Sequence, residues 1–300
     1  MRTKYILHSL LLGLCALGVS SCDRLDVVGM FWSSGSHTED RVAEWLAWDE
    51  QHGPNVITGV PDDYSVYVCS DIHITDSAPR VEQFLNKEYL DPQAVFSVIN
   101  GDIANVSGES AFRVLDSVMH LPRPDNHVPG PAEDTCFVVI GNHDIYFNCQ
   151  EYYQKYFHTS TYCVEVRTVG GKRDLWVFLD SGNATHGRRQ LVWLKELLEH
   201  RSEYRHVVVN THTCLFRNSY NYSTTPAANL PEEEYYELVK LMSDNQVSLF
   251  LMGHFHHKEE HVLGGVPYVM SSNMDVQDEV PSYLRVSLGD GVDYEYKNLY

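Results

Sequence analysis

Five short apolar runs in this chain stop at the same kinds of residue, and that repetition constrains the fold more than any other feature. "VYVCSDIH" is apolar over 66–69 and ends at Asp71 and His73; "VFSVINGD" is apolar over 95–99 and ends at Gly101 and Asp102. "VVIGNHD" leaves 138–140 for Asn142, His143 and Asp144. "HVVVNTH" leaves 207–209 for His212, and "VSLFLMGHFH" leaves 247–252 for His254 and His256. Short runs rich in β-branched and aromatic residues read as buried strands. Polar groups at a strand end are cheap in water and costly out of it, so one such ending reads as a turn. Five such endings read as a site assembled where strands terminate.

Helical patterns separate several of these runs. "TEDRVAEWLAWDEQHG" opens with Thr38 as a cap, carries acids in its first turn, and stops at Gly53. "RRQLVWLKELLEH" repeats Leu191, Leu194, Leu197 and Leu198 at helical spacing, and "PEEEYYELVKLM" begins with Pro231 and three glutamates, which suits a helix N-terminus. Beyond residue 260 the pattern changes to closely spaced strands, "VPYVMSS", "SYLRVSL" and "VDYEYKN". Strands alternating with helices and then a strand cluster predict an α/β core with a second sheet. "DYSVYV" reads as the first core strand, and 121–134 and 215–231 read as long loops.

The first twenty-one residues do not belong to that fold. Arg2 and Lys4 precede a mostly apolar stretch over 5–19 that ends in "VSSC". The stretch is short for a bilayer core of about 30 Å, so it reads as a signal h-region, and apolar-small-small-Cys is the pattern of bacterial lipoprotein signals. The expected organisation is a lipoprotein signal peptide over 1–21, a tether and N-terminal helix over 22–60, and the main domain over 61–300. Cys22 would be lipidated, and the protein exported and membrane-anchored, periplasmic or at the cell surface. The formal net charge is −19 and becomes more negative once Arg2 and Lys4 are removed. Such a surface repels phosphate backbones, so no nucleic-acid partner is expected. Of the other cysteines, Cys69 and Cys136 read as core residues, while Cys149 and Cys163 flank an aromatic segment as a possible disulfide.

The strand ends carry carboxylates, imidazoles and an amide oxygen without thiolate, a donor set for Mn, Fe, Zn or Mg. Asp71, His73, Asp102, Asn142, His212, His254 and His256 make seven donors. Seven exceeds one tetrahedral site and suits two metals sharing a bridge, for which Asp102, at the tip of a central strand, is the natural choice. Two metals about 3.5–4 Å apart can hold a hydroxide and clamp both oxygens of a phosphoryl displacement. A small phosphate ester would then be drawn to a positive pocket on a negative protein.

In order, "DIH", "GDIAN", "GNHD", "THT" and "GHFH" resemble the motif series of the calcineurin-like metallophosphoesterases. The resemblance implies a four-layer αββα sandwich with a two-metal centre at the strand ends. One metal would take Asp71, His73, Asp102 and His256, and the other Asp102, Asn142, His212 and His254. His143, not a ligand in that family, would face the leaving group, with Asp144 orienting it. The expected function is a di-metal phosphoesterase acting on a phosphomonoester or phosphodiester through a metal-bridging hydroxide. The alternative is a catalytically idle lipoprotein that keeps the fold as a binding module. The chain departs from the series at Asn105, where members often carry Asp or Glu and purple acid phosphatases carry Tyr; "GDIANVSG" and "GNHD" also differ from the GDxVDRG and GNHE of protein Ser/Thr phosphatases. Arg217, five residues after His212, reads either as a phosphate contact or as an unpaired surface arginine. No constellation is assigned to His186 or His206, and His257 and His261 read as exposed neighbours of the motif.

Overall fold

The computed structural model describes residues 37–53, 55–106, 108–121, 135–216, 230–271, 274 and 280–300. Cys22 with the expected leader, and the candidate contact Arg217, lie outside these residues. Among those described, no helix is long and apolar enough to cross a membrane.

Two sheets face each other. The larger begins with β1 (Asn55–Val60), β5 (Tyr162–Thr168), β6 (Arg173–Leu179) and β7 (His206–Thr211). It continues through β8 (Leu249–Met252) and β10 (Val266–Met270) to β9 (Glu260–Leu263). The smaller runs in the order β12 (Val292–Asn298), β11 (Ser282–Leu288), β2 (Tyr64–Cys69), β3 (Ala94–Ile99), β4 (Cys136–Val138). The period-2 alternation of each strand decides what fills the layers. Tyr64, Val66 and Val68 of β2 point between the sheets, where they join Phe96, Trp176, Val208 and Leu251. Tyr67 and Cys69, one residue out of phase, point the other way, beneath α2 (Pro79–Tyr89), α3 (Glu109–Met119) and α4 (Gln150–Phe157). On the far side, Leu175, Val177 and Val209 meet α5 (Gly187–Leu198) and α6 (Glu232–Asp244) through Leu191, Leu194, Leu238 and Met242. The four layers of the expected sandwich are present, and each fully buried side chain of the inter-sheet core contributes about 1.5–3 kcal/mol.

Four details differ from the sequence reading. The strand cluster after residue 260 is not a sheet of its own: β9 and β10 extend the larger sheet, while β11 and β12 join the smaller one through antiparallel pairing of β11 with β2. Residues 55–60 are not tether but the edge strand β1, paired in parallel with β5. Helix α1 (Thr38–His52) likewise packs into the body, with Trp45 buried and Arg41 bonding both carboxylate oxygens of buried Asp180 at 3.0 Å. Thr38 is not the cap of α1; its hydroxyl donates to the Asn183 side chain at 3.1 Å, and His37 holds the cap position without a side-chain bond. Cys149 and Cys163 are free, and the Gly108 amide donates to the Cys149 sulfur at 3.2 Å.

Candidate metal centre

Parallel strands bring their C-terminal ends to one edge, and β2, β3 and β4 of the smaller sheet run parallel, as do β7 and β8 of the larger. The chain past each end turns sharply. Asp71, His73, Asp102, His254 and His256 all have positive φ, between 43° and 84°. For residues with a Cβ this left-handed backbone costs of order 1–3 kcal/mol each, and such strain persists where the surroundings over-determine it. Glycines make the close approach possible. A Cβ on Gly101 would lie 2.7 Å from Nδ1 of His212, and one on Gly141 would overlap the Asp102 carboxylate.

The donors converge in two groups. Asp71, His73, Asp102 and His256 place ligand atoms within 4.8 Å of one another, as do Asp102, His212 and His254. Asp102 belongs to both. Its Oδ1 accepts the His143 amide at 2.9 Å, which leaves Oδ2 aimed inward, 3.3 Å from His212 Nε2 and 3.9 Å from His73 Nε2. In the first group His256 Nε2 lies 3.3 Å from Asp71 Oδ1 and 3.1 Å from His73 Nε2. In the second, Asn142 Oδ1 lies 3.0 Å from His212 Nε2, and the Asn142 amide is turned that way because its Nδ2 donates to the Tyr146 hydroxyl at 2.8 Å. All seven expected donors are brought together.

Charge and tautomer fit divalent cations. Burial, reinforced by nearby imidazoles, pushes His73 and His254 down to about 3, so both present lone pairs at neutral pH. Burial also works against charged His212, but the Asp102 carboxylate outweighs it and raises this imidazole to about 9. His212 Nδ1 faces the Asn100 carbonyl at 2.8 Å, and since a carbonyl can only accept, Nδ1 keeps its hydrogen and Nε2 is the ligand atom. Burial opposes ionisation of Asp71 and Asp102, yet the surrounding histidines hold both carboxyls below their ordinary range. The ring nitrogen Nδ1 of His73 is buried without a hydrogen-bond partner among the described residues. Two carboxylates, four imidazoles and an amide oxygen, with a proton on His212 where a cation would sit, fit a pair of divalent metals.

One expected role is corrected. Asp144 does not orient His143: its Oδ1 accepts the Ala104 amide and its Oδ2 the Gly141 amide, each at 2.9 Å. Its carboxyl is therefore spent tying the segment after β3 to the turn after β4. Burial, with Asp102 beside it, pushes that carboxyl up to about 7. The partner of His143 Nδ1 is instead the main-chain carbonyl of Asn105. The His143 ring stands edge-on to His73, with centroids 4.6 Å apart. Sequence reasoning also missed Tyr146, although it lies inside the quoted motif, and a buried set around His186 behind His212. Past the ends of β7 and β8, a cavity of about 320 Å³ is lined by Leu215, Phe216, Leu230, Tyr235, Glu259 and His261 among others.

The sequence matches the calcineurin-like phosphoesterase family over residues 64–258. Among curated proteins none matches. Among solved structures, a dimetal phosphatase from Danio rerio superposes with a TM-score of 0.56 at 13% identity, covering 79% of this chain and 96% of that one. GAP50, the anchor in the inner membrane complex of Plasmodium, gives 0.56 at 14% identity over 79% of this chain and 85% of its own. A purple acid phosphatase from yellow lupin seeds gives 0.54 at 11% identity, covering 80% of this chain and 52% of the plant protein. At these identities the likeness is one of fold.

Proposed function

Because the chain belongs to the calcineurin-like phosphoesterase family, we propose that it hydrolyses a phosphomonoester or phosphodiester of a small organic alcohol, using two divalent cations. The observation that carries this reading is the single inward oxygen of Asp102, shared by both donor groups. When bound, the two cations supply Lewis acidity toward the phosphoryl oxygens and an acidified water as nucleophile. The chain supplies position and a proton. The Asn105 carbonyl fixes hydrogen on Nδ1 of His143, so the proton for the departing oxygen comes from Nε2 of the doubly protonated ring, which leaves a neutral imidazole still bonded to Asn105. The cavity past the ends of β7 and β8 takes the alcohol, and its lining among the described residues is largely aromatic and aliphatic.

The test is turnover on an aryl and an alkyl phosphate with added manganese. Asp102→Asn should lose both cations and all activity. His143→Ala should keep both cations and lose about a hundred- to ten-thousand-fold on the alkyl ester, which needs a protonated leaving group, but much less on the aryl ester. Activity that survives chelation, or in Asp102→Asn with one cation retained, would sink the shared bridge. Equal losses on both esters would withdraw the proton-donor role.

The similarity to an anchor protein favours one other reading, a binding module that holds metals without turnover. The chain keeps every donor and His143, which supports the enzyme; full metal loading with no turnover on any ester would support the module.

We also propose that the protein is an exported lipoprotein held at a membrane by Cys22, on the strength of the h-region ending in "VSSC". One acyl chain anchors only marginally, so more than one is implied. Cys22→Ser should shift the protein from the membrane pellet to the soluble fraction or stall its processing, and an unchanged pellet with normal maturation would refute the anchor.

A further inference from the structure

A directional chain of hydrogen bonds runs behind His212 and involves none of the seven donors. The His186 ring is fully buried, and its Nδ1 lies 2.8 Å from Glu234 Oε1. A carboxylate can only accept, so Nδ1 carries hydrogen. The His186 amide donates to the same oxygen, and the Thr185 hydroxyl donates to Glu234 Oε2 at 2.7 Å. On its other side, His186 Nε2 lies 3.1 Å from the Thr211 hydroxyl. That hydroxyl is 2.9 Å from the Ser181 hydroxyl, which accepts the Thr213 amide at 2.8 Å. The Thr213 hydroxyl donates to the Ser181 carbonyl, also at 2.8 Å. Apart from the three bonds to Glu234, every bond in the chain ends on Thr211 or Thr213, the residues on either side of His212.

We propose that His186 and Glu234 are positioning residues that lock the Thr211-His212-Thr213 segment and thereby set the cation affinity of the Asp102–His212–His254 group, leaving the Asp71–His73–His256 side unaffected. The reason is geometric. His212 Nε2 must meet Asp102 Oδ2 at 3.3 Å and Asn142 Oδ1 at 3.0 Å, and it has one main-chain partner of its own, the Asn100 carbonyl. Rotation of the segment about β7 would keep the bond to Asn100 while moving Nε2 off its mark. Anchoring both neighbours removes that freedom. The anchors come from three elements: Ser181 follows β6, His186 precedes α5, and Glu234 sits in the first turn of α6. This inference rests on the two-cation reading of the centre and is independent of whether the protein turns over an ester.

The test measures manganese binding to metal-free, full-length protein by calorimetry, with unfolding temperature recorded alongside. In a His73→Ala background the Asp102–His212–His254 group is the complete one, and in a His254→Ala background the other group is. His186→Leu should weaken manganese about ten-fold in the first background, the lower end of what loss of an outer partner costs a metal site, and leave the second unchanged. His186→Gln, whose amide can donate to Glu234 and accept from Thr211, should recover most of the loss. Equal weakening in both backgrounds, or no weakening in a folded His186→Leu protein, would overturn the proposal. If His186→Leu does not fold, Thr211→Val removes the hydroxyl link while preserving shape. It should show the same one-sided loss, and unchanged affinity there would overturn the proposal equally.

Discussion

At the scale of single residues, His212 is where protons and metal compete. The Asp102 carboxylate outweighs burial and lifts its imidazole to about 9, so near neutral pH the metal-free protein holds a proton on the nitrogen a cation needs. Cation binding to this group should release close to one proton at about pH 7.5, and its affinity should fall about ten-fold for each pH unit below 9. His73 and His254, pushed down to about 3, are already neutral and release none. Calorimetry in buffers of differing ionisation enthalpy reads this directly, and proton release that persists in His212→Asn would show that another group supplies it. The seven donors were legible in the sequence because metal chemistry demands particular side chains at strand ends. The groups that aim them were not. Asn100 and Asn105 act through main-chain carbonyls, which every residue owns, and His186 meets Glu234 across 48 residues of chain that only the fold brings together.

At the scale of elements, the turns after the strands hold the donors against strain. Gly253 follows β8, and a Cβ there would press into the Ser70 hydroxyl and come within 3.0 Å of Asp71 Oδ2. Ser70 has little room to yield, since its hydroxyl is wedged between two acceptors, the Asn100 carbonyl at 3.0 Å and the Asp71 carboxylate, and donates its one hydrogen between them. Gly253→Ala should therefore destabilise the fold by about 1–3 kcal/mol, as overpacking does, and displace Asp71 enough to cost the cation it shares with His73 and His256. Thermal unfolding and metal analysis on one preparation decide it; unchanged metal content would mean that the turn has slack. The strong helical patterns and the strands with clear apolar runs were readable. Strands β1 and β9 were not, because "NVITGV" and "EHVL" lie at sheet edges, half exposed and without a continuous apolar run; β1 pairs with the distant β5, and β9 with β10 across the Gly264-Gly265 turn.

At the scale of the whole molecule, the body takes in more of the N-terminal region than the strand-end motifs suggest. Arg41 of α1 reaches Asp180 after β6, and both are buried, so Arg41→Met would leave a carboxylate without its counter-charge. The expected loss is about 3–5 kcal/mol, the usual effect of breaking a buried pair from one side. Chemical denaturation measures it, and a variant as stable as the parent would return α1 to the status of an appendage. A different consequence follows from where the donors originate. Asp71, His73, Asp102 and Asn142 hang from the smaller sheet, and His212, His254 and His256 from the larger, so each donor group draws on both sheets, and a cation in either would take ligands from both. The metals would then be rivets between two plates whose interior contact is apolar. Filling the centre would tighten the alignment of the plates, and emptying it leaves the apolar seam and the hydrogen bonds that cross it, such as that from His212 to the Asn100 carbonyl, to hold them in register.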